Sequence, residues 1–236
     1  MEVRRVCAGY GRGRKYRRIL TDVDFCLYKG EILGLVGESG CGKSTLSKTI
    51  LGFVPVESGQ VIHHTSRPQM VFQDPFSSLN PGKKVGWILE EPLRMQKIPA
   101  AARREKAGAM LAKVGLDKSF LNRRPGDLSG GQRQRVSIAI SLIQGSQLIL
   151  ADEPVSALDV TIQRQIMELM LALQEELGLS YLFISHDLDV IYQMCDRVMV
   201  MQKGQVVEEG DVERIFEEPR HPYTRSLLAA SLSYRL

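Results

Sequence analysis

The stretch Gly37-Glu38-Ser39-Gly40-Cys41-Gly42-Lys43-Ser44-Thr45 decides the fold of this 236-residue chain. It matches the phosphate-binding loop (P-loop) pattern G-x-x-x-x-G-K-[ST], which requires a strand before it and a helix after it. Residues 31–36 are almost continuously apolar and predict a short buried strand, and residues 45–51 predict the opening of a helix. The sequence therefore predicts a strand–loop–helix unit that binds a nucleotide. The alternative is a glycine-rich turn that carries a lysine by accident.

The chemistry of phosphate binding explains the residues of this loop. Glycines let the backbone turn its N–H groups toward phosphate oxygens, and the helix N-terminus adds partial positive charge. Lys43 is expected to reach the β- and γ-phosphates, and the Ser44 hydroxyl is expected to bind Mg²⁺. The predicted nucleotide ligands in the loop are Gly37, Ser39, Gly40, Cys41, Gly42, Lys43, Ser44 and Thr45.

Composition limits the class of protein. The chain is 44% hydrophobic and 25% charged, which predicts one large domain or a domain with one inserted lobe. A net charge of +4 is too small to indicate a nucleic-acid partner by itself. The four cysteines have no C-x-x-C spacing, so we expect reduced thiols of a cytosolic protein. The sequence contains no run of 18 apolar residues, so it predicts no transmembrane segment.

The N-terminal region, residues 1–30, predicts a small β region, because apolar residues alternate with polar ones at Val23, Phe25 and Leu27. The segment Arg12–Arg18 is basic, and it is either a phosphate or nucleic-acid patch or, as we favour, a solvated hairpin loop. Either Tyr10 or Tyr16 could stack on an adenine ring, and either could be ordinary strand packing.

The segments after the P-loop helix predict a strand pair with a turn at residues 57–60, followed by Gln73 where the second strand ends. A glutamine at that edge can orient water or touch Mg²⁺, or it can be a plain loop residue. Residues 76 to about 127 have almost no strand signal. Ala107, Met110, Leu111 and Val114 follow helical spacing, so we predict an α-helical lobe inserted into an α/β core.

Polar groups follow three further elements. Ser129 suits the N-cap of a helix opened by Leu128-Ser129-Gly130-Gly131-Gln132, and such a start makes an anion site. Taken alone, Ser-Gly-Gly would be a loop without functional meaning. The strand 147–153 ends in Asp152 and Glu153, which beside a P-loop can hold Mg²⁺ and polarise an attacking water. The alternative is a pair of solvated strand-end acids. His186, at the tip of the strand 181–187, is either a ligand or a structural residue.

The order of these motifs resembles the ATP-binding subunit of ABC transporters over nearly the whole chain. Residues 71–81 and His221-Pro222-Tyr223-Thr224 resemble the peptide/nickel (oligopeptide, dipeptide, nickel) importer subfamily. The stretch between Gly59 and Met70 is shorter than is usual in the family. The resemblance implies a P-loop NTPase (RecA-like) α/β core of residues 1–75 and 147–236. It also implies a helical subdomain of residues 76–146 that carries the signature Leu128–Gln132.

The resemblance also implies a role for each motif. Gln73 senses the γ-phosphate and contacts Mg²⁺, Asp152 supports Mg²⁺, and Glu153 is the general base. His186 contacts the γ-phosphate, and the Asp159 loop crosses to a partner subunit. The residues that bind the γ-phosphate of ATP held by the partner belong to the signature, namely Ser129, Gly130, Gly131 and Gln132. Tyr10 fits the position of the adenine-stacking aromatic better than Tyr16 does, and Tyr16 stays the alternative.

The function implied is that of an ATP-hydrolysing motor at the cytoplasmic face of the membrane, with ATP and Mg²⁺ as cofactors. Its implied partners are a second ABC ATPase subunit, two integral membrane permeases and, indirectly, an extracytoplasmic substrate-binding protein, with no nucleic acid. One alternative is a soluble ABC-type ATPase acting on nucleic acid or ribosomes, which only the basic loop supports. Another is a small-molecule kinase, in which the signature would have no role.

Overall fold

The P-loop follows a buried strand and precedes a helix, as the sequence predicts. The computed structural model describes residues 1–65, 68–74 and 79–233. Its strands are β1 (Glu2–Tyr10), β2 (Arg17–Cys26), β3 (Ile32–Val36), β4 (Val56–Ile62), β5 (Gln69–Val71), β6 (Leu148–Asp152), β7 (Ser180–Ile184), β8 (Arg197–Gln202) and β9 (Gln205–Asp211). Its helices are α1 (Lys43–Ile50), α2 (Val85–Met95), α3 (Ala100–Lys113), α4 (Gly130–Leu142), α5 (Val160–Leu177), α6 (Leu188–Met194), α7 (Val212–Glu217) and α8 (Pro222–Ser233). The α/β class is thereby confirmed.

The chain divides into two units, the first formed by residues 1–68 and 180–236. In this unit β1 pairs antiparallel with β2 and with β4, which confirms the predicted N-terminal β region. Strand β3 lies between β7 and β8, parallel to both, and every residue of β3 and β7 is buried. Continuous burial is typical of parallel strands that are covered on both faces, and it explains why the strand before the P-loop has no polar alternation.

The prediction of a turn at residues 57–60 is wrong, because these residues lie inside strand β4. The turn-like sequence marks a bulge instead, because the pairing of β1 with β4 shifts register between Arg4 and Cys7. Gly59 has a φ of 83°, and a Cβ there would lie 2.2 Å from the carbonyl oxygen of Arg5. Only glycine fits a backbone approach that close. The predicted strand pair is also wrong, because β4 pairs with β1 and β5 pairs with β6.

The second unit, residues 69–179, contains helices α2 to α5 and the parallel pair β5–β6. Ala107, Leu111 and Val114 of the predicted α3 stripe are buried, and Met110 is half-buried. On α5 the buried positions include Ile166, Met170 and Leu173, at i, i+4 and i+7.

Apolar spacing on α5 predicts a buried face made of Ile162, Ile166, Leu169 and Leu173. Half of this face is confirmed, because Ile162 and Leu169 are only half-buried. Met170 is buried in place of Leu169, and it follows Ile166 and precedes Leu173 at helical spacing.

The helices begin and end at residues with recognisable capping chemistry. Asp159 accepts a hydrogen bond from the Ile162 amide at the start of α5, and Gly178 ends that helix with a φ of 62°. The bounds of the helical subdomain, residues 76–146, are implied by the family resemblance, and they stay a prediction. Within the described residues, none of the helices combines the length and the apolarity needed to cross a bilayer.

Candidate functional site

The P-loop is built on glycines whose backbone conformation other residues avoid. Gly37, Gly40 and Gly42 have φ angles of 150°, 79° and 117°. A Cβ at Gly37 would lie 2.2 Å from the carbonyl oxygen of Met201, at the end of β8. Alanine at Gly37 would therefore require the backbone to move, and the three glycines fix the path of the loop.

The amides at the start of α1 form a cradle for an anion. The first intrahelical bond runs from the Leu46 amide to the Gly42 carbonyl, at 2.9 Å, so the amides before it lie at the open end of the helix. Gly42 is the N-cap and has no side chain that could compete for these amides. The loop therefore fits a phosphate group bound through backbone N–H groups and the helix dipole.

Lys43 folds back across this loop. Its ammonium donates to the carbonyl oxygens of Gly37 and Glu38, at 2.6 and 3.0 Å. The positive charge thus lies over the loop that the amides line, where it can pair with phosphate oxygens. The loop is tied at a further point, because the Gly204 amide donates to the Cys41 carbonyl at 2.8 Å.

The two tyrosines considered for adenine stacking differ in their surroundings. The Tyr16 hydroxyl donates to the Glu57 carboxylate at 2.8 Å, and Arg18 pairs with the same carboxylate. Tyr10 is 45% exposed at the end of β1, so its ring face is accessible. Exposure favours Tyr10 for stacking. The basic segment forms the β1–β2 connection, with a short 3₁₀ turn at Gly13–Lys15, which agrees with a hairpin loop.

His186 lies in the turn that follows β7, in the same unit as the P-loop. The Ser185 hydroxyl accepts from the Asp187 amide at 3.0 Å, and Asp187 in turn caps α6. These bonds hold the turn, and the His186 side chain is exposed. An exposed imidazole on a fixed turn is able to donate to a phosphate oxygen.

Glu153 and Gln73 meet within the second unit. The Gln73 side-chain amide donates to the Glu153 carboxylate, with 2.7 Å between Nε2 and Oε2. Glu153 has a φ of 48°, in the left-handed region, directly after Asp152 ends β6. Such a conformation costs roughly 1–2 kcal/mol in a non-glycine residue, and it is common at functional sites. It turns the Glu153 side chain away from the line of the strand.

A residue that the sequence reasoning missed helps to hold Glu153 in this conformation. The amide and the hydroxyl of Ser156 both donate to the Glu153 carbonyl oxygen, at 3.3 and 3.1 Å. From the sequence, residues 156–159 predict only a turn into a helix. A serine three residues after a strand-end acid is a signal for a side-chain-supported turn, and it could have been used.

The signature loop opens α4 with a reciprocal capping box. The Ser129 hydroxyl accepts from the Gln132 amide at 3.3 Å, and the Gln132 side chain accepts from the Ser129 amide at 3.1 Å. The predicted N-cap is therefore confirmed. A Cβ at Gly131 would lie 2.6 Å from Cγ2 of Ile162, and Ser129 and Gly130 are exposed. The close packing explains the second glycine, and the exposed helix start fits an external anion.

The residues predicted to hold Mg²⁺ have suitable chemistry. The Ser44 hydroxyl lies in the first turn of α1, beside the phosphate cradle, and Asp152 and Gln73 belong to the second unit. Within the described ranges no cluster of three or more His, Cys, Asp or Glu side chains could hold a metal alone. Mg²⁺ commonly takes one or two protein oxygens together with substrate phosphates and water. The Ser44 hydroxyl in the first unit and the Asp152 carboxylate in the second each have the chemistry of such a ligand.

Comparison with known proteins decides the family. A profile described as ABC transporter matches residues 20–156, which include the P-loop, the signature and the Asp152–Glu153 pair. The chain belongs to the ABC transporter family. It is an ABC ATPase, and the fold is that of the P-loop NTPases in this family.

Relatives with names cover most of the chain. The dipeptide transport ATP-binding protein DppF of Escherichia coli is 47% identical over 231 residues, which are 91% of this chain and 69% of that protein. DppF of Haemophilus influenzae is 46% identical, over 91% and 70% of the two chains. The oligopeptide transport ATP-binding protein OppF of Bacillus subtilis is 43% identical, over 90% and 76%. The names of these relatives describe ATP-binding proteins of peptide transport.

Solved structures of ABC cassettes match the fold. The dimeric ATP-binding cassette MJ0796 in a post-hydrolysis state, bound to ADP and phosphate, has a TM-score of 0.77 and 29% identity. The match covers 89% of this chain and 98% of that one. The cassette cbiO1 of Clostridium perfringens, part of the ABC transporter complex cbiONQ, has a TM-score of 0.81 and 25% identity over 100% and 94%. These matches do not favour an ATPase that acts on nucleic acid or ribosomes.

Proposed function

We propose that this ABC ATPase is the motor of an importer for peptides, nickel or a metal chelate, at the cytoplasmic face of the membrane. The single observation that carries the proposal is the hydrogen bond between Gln73 and Glu153, in a chain that also contains a complete P-loop. A carboxylate held by an amide at the end of a strand is suited to accept a proton from water. The transport names of the relatives support the class of cargo.

In the proposed mechanism the P-loop amides and Lys43 bind the phosphates of ATP. Ser44 and Asp152 would hold Mg²⁺, which would neutralise negative charge on the phosphates. Glu153 takes a proton from the attacking water, Gln73 orients that water, and His186 donates to the γ-phosphate. The triphosphate thereby supplies charge that joins the two halves. Its cleavage divides that charge between ADP and phosphate, which are no longer one molecule bridging them.

We propose that the signature of one subunit binds the γ-phosphate held by the P-loop of a second ABC ATPase. Phosphate charge recruits the open end of α4 on the facing subunit. Asp159 caps the start of α5, the next helix along the chain. Residues 76–127 then carry the movement to two permease subunits, which receive cargo from a substrate-binding protein. We propose no role for nucleic acid.

The experiment uses the complete transport complex in lipid vesicles. Glu153→Gln should lower ATP turnover about 100-fold or more, because a general base is lost, while MgATP affinity stays within about twofold. Glu175→Gln, at an exposed position on α5, is the matched control and should keep full turnover. Near-normal turnover in Glu153→Gln would remove this residue from its role. Salt-sensitive DNA binding by the wild-type protein would instead favour the nucleic-acid alternative.

A further inference from the structure

The C-terminal segment contacts the P-loop directly. The hydroxyl oxygen of Tyr223, the second residue of α8, accepts a hydrogen bond from the Glu38 amide at 3.0 Å. Glu38 is the second residue of the P-loop, 185 positions away along the chain. Both residues belong to the same unit. A segment that the proposed mechanism does not use therefore ends on the loop that binds phosphate.

Glu208 on β9 anchors this segment. Its carboxylate accepts hydrogen bonds from the amides of Arg220 and His221, at 2.8 and 3.0 Å. The His221 imidazole accepts from the Tyr223 amide at 3.2 Å, which closes the turn before the helix. We call residues 219–225 the C-terminal strap. Two hydrogen bonds thus tie the strap to Glu208 of the core sheet, and a third fixes the backbone of Tyr223.

Tyr223 is placed to hold rather than to react. Its side chain is 9% exposed, and burial raises the pKa of its hydroxyl, so the group stays neutral at ordinary pH. A neutral hydroxyl oxygen satisfies the Glu38 amide without bringing a charge next to phosphate. The phenol ring also fills space that a smaller side chain would leave empty.

The position of this bond matters because Lys43 also binds the Glu38 peptide. The Lys43 ammonium donates to the carbonyl oxygens of Gly37 and Glu38, and phosphate oxygens compete for the same ammonium. The Tyr223 bond to the Glu38 amide does not have to be released in that competition. It can therefore keep the first half of the loop in place while Lys43 changes partners.

We propose that Tyr223 is a positioning residue for nucleotide binding and that the C-terminal strap, anchored on Glu208, holds the P-loop in its phosphate-binding conformation. This inference rests on the proposed binding of ATP by the P-loop. It assigns a role to the His221-Pro222-Tyr223-Thr224 motif, which otherwise has none. Without the strap the loop has to be ordered at the moment of binding, and affinity falls by that cost.

The test compares two Tyr→Phe variants of the full chain. Tyr223→Phe removes only the hydroxyl, and Tyr192→Phe removes the hydroxyl of a half-exposed tyrosine on α6 in the same unit. We expect MgATP and MgADP to bind roughly three- to tenfold more weakly to Tyr223→Phe than to Tyr192→Phe, as for one lost hydrogen bond. Hydrogen exchange of the Glu38 amide should become faster in Tyr223→Phe alone. Without nucleotide, the melting temperature of Tyr223→Phe should fall by only roughly 2–4 °C, as for one lost hydrogen bond in a chain of this size.

Two further variants make every outcome decisive. Glu208→Gln keeps the tyrosine and weakens its anchor, so it should raise the same dissociation constants and speed exchange at Glu38, even if Tyr223→Phe folds poorly. Affinity within twofold of the control, or unchanged exchange at Glu38, overturns the inference. Lys43→Ala separates the two proposals. If it binds MgATP normally, the proposed function fails, and if it alone loses binding, only the role of Tyr223 fails.

Discussion

The P-loop and the signature loop both place glycines at the start of a helix, yet different parts of the chain hold them. The P-loop is fixed by distant residues, since Gly37 packs on the Met201 carbonyl and the Glu38 amide bonds to Tyr223. The signature loop is fixed locally, by the exchange of hydrogen bonds between Ser129 and Gln132. One loop is therefore part of a rigid frame, and the other is a capped helix end.

The two loops also differ in charge. Lys43 lies over the P-loop and can neutralise phosphate, whereas the first cation of α4, Arg133, donates to the Pro125 carbonyl at 2.8 Å. The P-loop therefore has amides and a cation, and the signature has an open helix end with its nearest cation engaged elsewhere. The P-loop therefore has its own countercharge for phosphate, whereas we propose that the signature acts on a nucleotide that a second subunit holds.

The largest expected effect tests the P-loop side of the comparison. Lys43→Ala should weaken MgATP binding about 100-fold or more, because two charge-assisted contacts at roughly 1.5–3 kcal/mol each are lost. Titration calorimetry on the purified chain measures it. Arg133→Ala is the matched control at the signature and should leave the affinity of the same chain unchanged. Equal losses in both variants would break the distinction between the loops.

A smaller effect is expected at the signature. Ser129→Ala removes the N-cap, which lowers the free energy of unfolding by about 1 kcal/mol. It should lower ATP turnover roughly tenfold, as for one lost contact to a charged phosphate, while the chain binds MgATP as before. Steady-state turnover and calorimetry check the pair of results, with Thr161→Ala on α5 as the control. Weaker MgATP binding by the isolated variant would mean that the signature contacts the nucleotide of its own chain.

The smallest effect depends on pH and concerns the strap. Partial burial raises the pKa of Glu208, but the hydrogen bonds that its carboxylate receives outweigh burial, and the pKa lies below the usual value. The resulting stability is present above about pH 4.3, the usual value for glutamate, and is lost as pH falls through the lowered pKa. The melting temperatures of wild type and Glu208→Gln should therefore differ at pH 7 and converge in acid.

The signature provides the control for this pH dependence. Ser129 and Gln132 are uncharged, so the difference in melting temperature between wild type and Ser129→Ala should be the same at pH 7 and at about pH 3, well below the usual glutamate pKa. A difference for Glu208→Gln that is constant across the same range would contradict the role assigned to the strap carboxylate.

Local pattern was sufficient to predict much of the structure. The strand before the P-loop, the Ser129 cap and the ends of the strands near Asp152 and His186 follow from apolar runs and capping residues. The bulge at Gly59 could not be predicted, because its reason is a close approach to Arg5 on another strand.

Long-range contacts explain what the sequence left open at the site. The bond from Glu38 to Tyr223 joins residues 185 positions apart, and no periodicity or spacing encodes such a pair. The left-handed backbone of Glu153 is equally hidden, since glutamate rarely adopts a φ of 48°. The sequence motifs indicated which groups carry the chemistry, and the structure adds the residues that hold them.

If triphosphate joins two incomplete halves, the Glu153→Gln variant should pair when it holds ATP. The decisive measurement is therefore the mass of the assembly that this variant forms in solution. Sedimentation is measured with MgATP, with MgADP and without nucleotide, for the variant alone and with its companion ABC ATPase co-expressed. We expect a stable pair with MgATP only, formed either by two identical chains or by the chain and its companion. A variant that stays monomeric in saturating MgATP under both arrangements, or that pairs equally with MgADP, would contradict it.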